Sequence, residues 1–231
     1  MVSYGWHDVG FELVDPESGA SQGTFPLPDA SDDEAHVAAG AEGIWLAASG
    51  FDRENVGLVT RTPAVSGPAG ELERAAIPEQ PGFLFYYTPD SGSYNDVAVG
   101  MGSVWLARDG GPVLKRVDPN TKRVVATIEL PFTPKSLAVG EGAVWVTGLF
   151  DDVLARLDPA RNKVTMTVHL GPGTDGVAVG DGSVWVVSTI AGTVTRVDPR
   201  TGAIQATIDV GRRPEDVAVG AGGVWVTRHT A

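Results

Sequence analysis

The chain has 231 residues, 42% of them apolar and 20% charged, with 17 Lys and Arg against 29 Asp and Glu. That length supports one sizeable hydrophobic core or at most two small ones. A net charge of −12 and no basic run longer than two residues exclude a sequence-independent grip on nucleic-acid phosphates. Nothing approaches 18 consecutive apolar residues, so no membrane span is expected, and Met1–Gly10 has neither the basic start nor the apolar run of a signal peptide. Zero cysteines excludes disulfides, thiol catalysis and thiolate metal sites, without assigning a compartment.

In chain order, residues 1–8 read as a tail that holds Trp6. Residues 9–27 read as a pair of short strands: Phe11–Val14, the turn Asp15-Pro16-Glu17-Ser18-Gly19, then a second strand. In such a turn Asp bonds the following backbone, Pro presets φ and Gly closes the reversal. Residues 31–38 and 70–76 are the only helix-like stretches, each too short to form a layer. Then a motif begins. Val37-Ala-Ala-Gly-Ala-Glu-Gly-Ile-Trp45-Leu is a degenerate first copy, and residues 49–94 follow it as an insertion-rich stretch. The copies Val97-Ala-Val-Gly-Met-Gly-Ser-Val-Trp105-Leu, Leu137-Ala-Val-Gly-Glu-Gly-Ala-Val-Trp145-Val, Val177-Ala-Val-Gly-Asp-Gly-Ser-Val-Trp185-Val and Val217-Ala-Val-Gly-Ala-Gly-Gly-Val-Trp225-Val place their tryptophans 40 residues apart. Asp118-Pro119, Asp158-Pro159 and Asp198-Pro199 each lie 13 residues after one of these tryptophans.

Each unit reads as four short strands. The first two flank the Gly-x-Gly turn, where glycine supplies positive φ, and the next two flank the Asp-Pro turn. The first pair is nearly all apolar, which predicts burial on both faces. Small sheets covered on both faces by their neighbours, at 40 residues per four strands, predict an all-β fold, a β-propeller of four-stranded blades. The run Val-Ala-Val-Gly-x-Gly-x-Val-Trp-Val, followed by Val-Asp-Pro-x-Thr-Gly and an Ala-Thr-Ile strand, resembles the bacterial YVTN-type propeller repeats, relatives of NHL repeats and of virginiamycin B lyase. The resemblance covers residues 36–231 well and 9–35 weakly. It implies blade architecture, and an extracytoplasmic or cell-surface location that the missing signal peptide does not itself support; a cytoplasmic one stays open.

Five inner hairpins carry Trp45, Trp105, Trp145, Trp185 and Trp225. Five outer hairpins fall at 9–27, 56–78, 113–130, 153–170 and 193–210. The sequence thus starts with an outer pair and ends with an inner one. Five blades in a single domain over 1–231, closed by the N-terminal outer strands on the C-terminal inner strands, are expected, since closure removes an open edge. The rival reading is a fragment of a longer ring.

If the first strand of each unit lines the axis, the loops between units and the loops after each tryptophan strand share one face, and the repetitive turns share the other. Variable loops on a rigid scaffold are where binding residues gather. The Trp45 unit carries 20 extra residues, the largest share at 79–94 with Phe83, Phe85, Tyr86, Tyr87 and Tyr94. Tyr86 and Tyr94 are candidate stacking residues for a sugar, peptide or aromatic ligand; the plainer reading packs most of this cluster inside its blade. Nine residues before each tryptophan stand His36, Asp96, Ser136, Gly176 and Asp216, preceded by Ala35, Asn95, Lys135, Asp175 and Glu215. Asp96, Asp175, Glu215 and Asp216 are candidate oxygen ligands for calcium or magnesium, with His36 or His229 as a base beside the ion. Against this stands the reading of these residues as strand-end caps facing water. Arg116, Arg156 and Arg196, two residues before each Asp-Pro, are expected to form exposed ion pairs with those aspartates.

Virginiamycin B lyase-like enzymes, by the resemblance, use a histidine and magnesium on this face. Here no His/Glu pair matches theirs, and no catalytic residue is carried over. The balance favours a non-enzymatic, monomeric scaffold that binds a protein or small-molecule partner through His36, Tyr86, Tyr94, Asp96 and Asp216, without a resident cofactor. A metal-assisted lyase or hydrolase is the alternative, and an assembly module or trimmed or designed repeat without its own ligand is the third.

Overall fold

The computed structural model describes residues 10–14, 20–26, 34–40, 43–49, 94–108, 110–121, 124–148 and 150–228. The expected tail, the outer hairpin at 56–78 and the Phe83–Tyr87 cluster lie outside the described residues. The chain divides into two compact units, Met1–Tyr94 and Asn95–Ala231. Among the described residues every regular element is a β-strand.

Among its described residues the first unit holds two antiparallel hairpins. Strands β1 (Gly10–Val14) and β2 (Ser21–Pro26) form one, with a register shift between Leu13 and Val14. Strands β3 (Glu34–Gly40) and β4 (Gly43–Ser49) form the other, with Ala38 opposite Trp45. The helix-like stretch at 31–38 therefore ends inside a strand.

The second unit holds three four-stranded antiparallel sheets and a two-stranded one. The first sheet runs β5 (Tyr94–Gly100), β6 (Ser103–Arg108), β7 (Val113–Val117) and β8 (Val124–Glu129). The second runs β9 (Pro134–Gly140), β10 (Ala143–Gly148), β11 (Val153–Asp158) and β12 (Lys163–His169). The third runs β13 (Thr174–Gly180), β14 (Ser183–Ser188), β15 (Thr193–Val197) and β16 (Ile204–Asp209). Strands β17 (Pro214–Gly220) and β18 (Gly223–Arg228) end the unit as a hairpin.

Within the four-stranded sheets burial falls mainly on the second strand. Strands β6 and β10 are buried almost throughout, whereas β9 and β13 are half-buried. The expected burial of the first pair on both faces is met by β6 and β10 and only partly by the strands before them. Trp105 and Trp145 are 0% exposed, each packing against the sheet that follows its own.

The Gly-x-Gly motif divides its labour. The middle residue and second glycine form the turn, both at positive φ: Met101 and Gly102, Glu141 and Gly142, Asp181 and Gly182. Two such residues make a type I′ reversal, which matches strand twist. The first glycine ends the strand, and its missing side chain admits the next sheet. A Cβ on Gly140 would lie 2.6 Å from Val179 Cγ1, and one on Gly180 would meet Val219.

The Asp-Pro turns are closed by their aspartates. Asp118 Oδ1 accepts from the amides of Asn120 and Thr121, and Asp198 Oδ1 accepts from those of Arg200 and Thr201. The Thr201 amide and hydroxyl hold the Asp198 carboxyl below its ordinary value. In the Asp158 turn the Arg161 side chain comes first, then the Ala160 amide.

The expected exposed Arg–Asp pairs are replaced by another arrangement. Each arginine stands directly across the ladder from its tryptophan. Arg116 lies 5.1 Å and Arg196 5.4 Å from the ring centroids of Trp105 and Trp185. Their Nε atoms donate to Ser103 and Ser183, both at 2.8 Å. Opposite positions lie closer than the i, i+2 spacing along one strand, and a tryptophan face attracts a guanidinium.

Candidate functional site

One end of the second unit is built of short, self-satisfied turns. The other carries the β6–β7, β10–β11 and β14–β15 loops together with the connections between sheets. Backbone bonds tie these loops together: the Leu170 amide donates to Asp152 O at 2.8 Å and the Val210 amide to Gly192 O at 3.0 Å. The connection before β13 is held on both sides. Its Gly173 amide donates to Asp152 Oδ1 of the preceding sheet at 2.8 Å, while Gly173 O accepts from Thr189 of its own sheet at 2.7 Å.

On this tethered end two large apolar side chains stand in water. Phe150 is 82% and Ile190 77% exposed, each five residues after its tryptophan on successive sheets. Ile190 lies over Gly173, where a Cβ would meet it at 2.7–2.8 Å. Sequence reasoning missed both. The available signal was an apolar residue amid the turn formers Gly148, Asp151 and Asp152, and a second at the matching place before Gly192.

Of the residues nine before each tryptophan, Asp96 meets Ser136 and Asp216 lies beside Gly176. Asp96 Oδ1 accepts from the Val97 amide at 2.7 Å, and its Oδ2 accepts from Ser136 Oγ at 2.8 Å and the Leu137 amide at 2.7 Å. Asn95 Nδ2 donates to Pro134 O at 2.8 Å. Both side chains thereby join consecutive first strands. Asp216 lies beside Gly176, where a Cβ would be 2.7 Å from its Oδ1, and that oxygen accepts from the Val217 amide at 2.8 Å.

Asp175 and Glu215 occupy register shifts where β13 and β17 begin, and Asp175 Oδ2 accepts from Thr189 Oγ1 at 3.2 Å. Among the described residues no three His, Cys, Asp or Glu side chains converge as a metal site. Of the remaining candidates, His36 lies in β3 and Tyr94 begins β5, while Tyr86 and His229 fall outside the described residues.

Four-stranded antiparallel sheets that pack first strand against first strand, with hairpin turns at one end and longer loops at the other, define a β-propeller. Solved structures of this class agree. The chain is similar to virginiamycin B lyase from Staphylococcus aureus at 18% identity and a TM-score of 0.59, covering 84% of this chain and 76% of that one. BamB from Moraxella catarrhalis matches at 16% and 0.57, covering 96% and 62%. AztD from Citrobacter koseri matches at 14% and 0.52, covering 95% and 59%. The chain thus spans less than two thirds of the latter two. At these identities the likeness concerns the fold. No protein family and no curated protein matches the chain. No described helix is long and apolar enough to cross a membrane.

Proposed function

We propose that the chain is a non-enzymatic β-propeller module that binds a protein or small-molecule partner on its loop-bearing end. The observation that carries this reading is the exposure of Phe150 and Ile190 on successive, hydrogen-bonded loops. Exposed apolar side chains on a rigid scaffold are what a partner's apolar surface can cover. The opposite end repeats the same turns, so it offers little to distinguish one partner from another. We also assign the sheets to the YVTN-type, NHL-related repeats, on the Val-Gly-x-Gly-x-Val-Trp and Asp-Pro markers, and read the module as monomeric and exported.

The metal-assisted lyase or hydrolase finds less support in the described residues. The Asp96 carboxylate is engaged by three protein donors, and both of its oxygens already join strands.

A displayed-peptide library tests the binding reading. Wild-type protein selects a set of peptides, and the double variant Phe150→Asp, Ile190→Asp loses them while melting within a few degrees of wild type, as surface changes do. Retention of the whole set by a folded double variant overturns the reading.

A further inference from the structure

Within the second unit the apolar pair of the loop-bearing end continues into a basic one. Gly173 lies between the Phe150 loop and Ile190, since its amide donates to Asp152 Oδ1 at 2.8 Å and a Cβ on it would meet Ile190. On the far side of Ile190 the same loop touches the next connection between sheets. Gly192 O accepts from the Val210 amide at 3.0 Å, and a Cβ on Gly192 would lie 2.7 Å from Gly211 O. Arg212 and Arg213 follow directly, both exposed. Arg228 Nη1, at the end of β18, donates to Val210 O at 3.2 Å and fixes the start of this connection. From the second sheet to the β17–β18 hairpin the surface thus reads Phe150, Ile190, then two arginines.

Two observations set these arginines apart. Neither makes a hydrogen bond or an ion pair among the described residues. The neighbouring carboxylates are engaged elsewhere: Asp209 Oδ1 accepts from the Gly211 amide at 2.9 Å, Asp216 Oδ1 from the Val217 amide at 2.8 Å, and Glu215 has an interaction of its own. In addition, Arg213 stands at φ 46°, in the left-handed region where a side chain is strained. One repeat earlier the corresponding residue is Gly173, at φ 77°, and glycine takes such angles freely. The chain therefore keeps an arginine where glycine would be the more stable choice, and strain of this kind gathers at functional positions.

We propose that this row seats an extended acidic polypeptide segment, with apolar side chains on Phe150 and Ile190 and carboxylates on Arg212 and Arg213. The inference rests on the binding reading above and names its ligand class. Charge selects the occupant, because unpaired guanidiniums attract carboxylates and hold them by paired donors. A nucleic acid is a poor fit: a net charge of −12 repels a polyanion beyond the few contacts that two arginines offer. An anionic membrane fits less well too, since Asp151 is exposed beside Phe150 and would be pressed with it against the headgroups.

The test uses the full chain and a library of random displayed peptides, with vesicles of phosphatidylserine and phosphatidylcholine alongside. Peptides selected by the wild type are expected to combine apolar residues with Asp or Glu. They bind the double variant Arg212→Ala, Arg213→Gly about three- to tenfold more weakly, the worth of two exposed ion pairs, and raised salt removes the difference. That variant melts at or above the wild-type temperature, because glycine accepts the backbone angle at position 213. Should it melt lower, the wild-type protein carries the test: Asn and Gln in place of the peptides' Asp and Glu weaken binding by the same factor. Peptides that depend on Phe150 and Ile190 but carry no excess of Asp or Glu, or that bind the arginine variant unchanged, overturn this inference and leave the binding reading standing. A set indifferent to Phe150 and Ile190 overturns both. Vesicle binding without peptide selection also overturns the proposal, by assigning the row to a membrane surface.

Discussion

Arg156 shows how one missing hydroxyl changes a residue's surroundings. Its neighbours in the repeat, Arg116 and Arg196, each have a serine acceptor and a tryptophan face. At Ala143 the acceptor is gone, Arg156 Nη1 turns to Thr165 Oγ1 at 3.1 Å, and Nε stays buried and unbonded. Ala143→Ser restores the acceptor in a site whose counterparts, Ser103 and Ser183, are buried as serine. A gain of about 0.5–1.5 kcal/mol is expected, the net worth of a hydrogen bond in place of an unsatisfied donor. Denaturant melts of the two proteins check it, and an unchanged or lower stability contradicts the pairing. Much of this was illegible beforehand. The period of the arginines was plain, but spacing along a strand cannot reveal what faces it across the ladder.

At the scale of the element, the strand-ending glycines set how closely sheets pack. Gly140 has ordinary backbone angles, so its requirement for glycine comes from Val179 alone. Gly140→Ala puts a methyl group into that valine and is expected to cost roughly 1–3 kcal/mol, as overpacking does. The loss is read from the midpoint of chemical unfolding. Recovery in the double variant Gly140→Ala, Val179→Ala identifies the contact as the cause; a fully tolerated Gly140→Ala removes it. The Gly-x-Gly spelling announced a turn, and the turn is there. That its first glycine serves the neighbouring sheet was hidden, because the contact lies 39 residues away in the chain.

At the scale of the molecule, Asp96 links two sheets, and Asp175 and Asp216 accept from donors of their own sheets. The melting temperature is therefore expected to be unchanged by EDTA or by millimolar calcium or magnesium. A rise that grows with ion concentration would show an ion bound to the native state and would return Asp96, Asp175, Glu215 and Asp216 to the role of ligands.

The repeat period, the four-strand unit, the two turn types and the burial of Trp105 and Trp145 were all determined by the sequence itself. Each depends on local chemistry: φ at glycine, hydrogen bonding at aspartate, and alternation or continuity of apolar side chains. Only the tertiary structure decided which partners the periodic residues take. It set arginine on tryptophan, brought Asp96 to Ser136, and left Phe150 and Ile190 in water. Those outcomes follow from strand register and the approach of one sheet to the next, and side chains that share a spacing in the chain are sorted by them into packing, bridging and exposed positions.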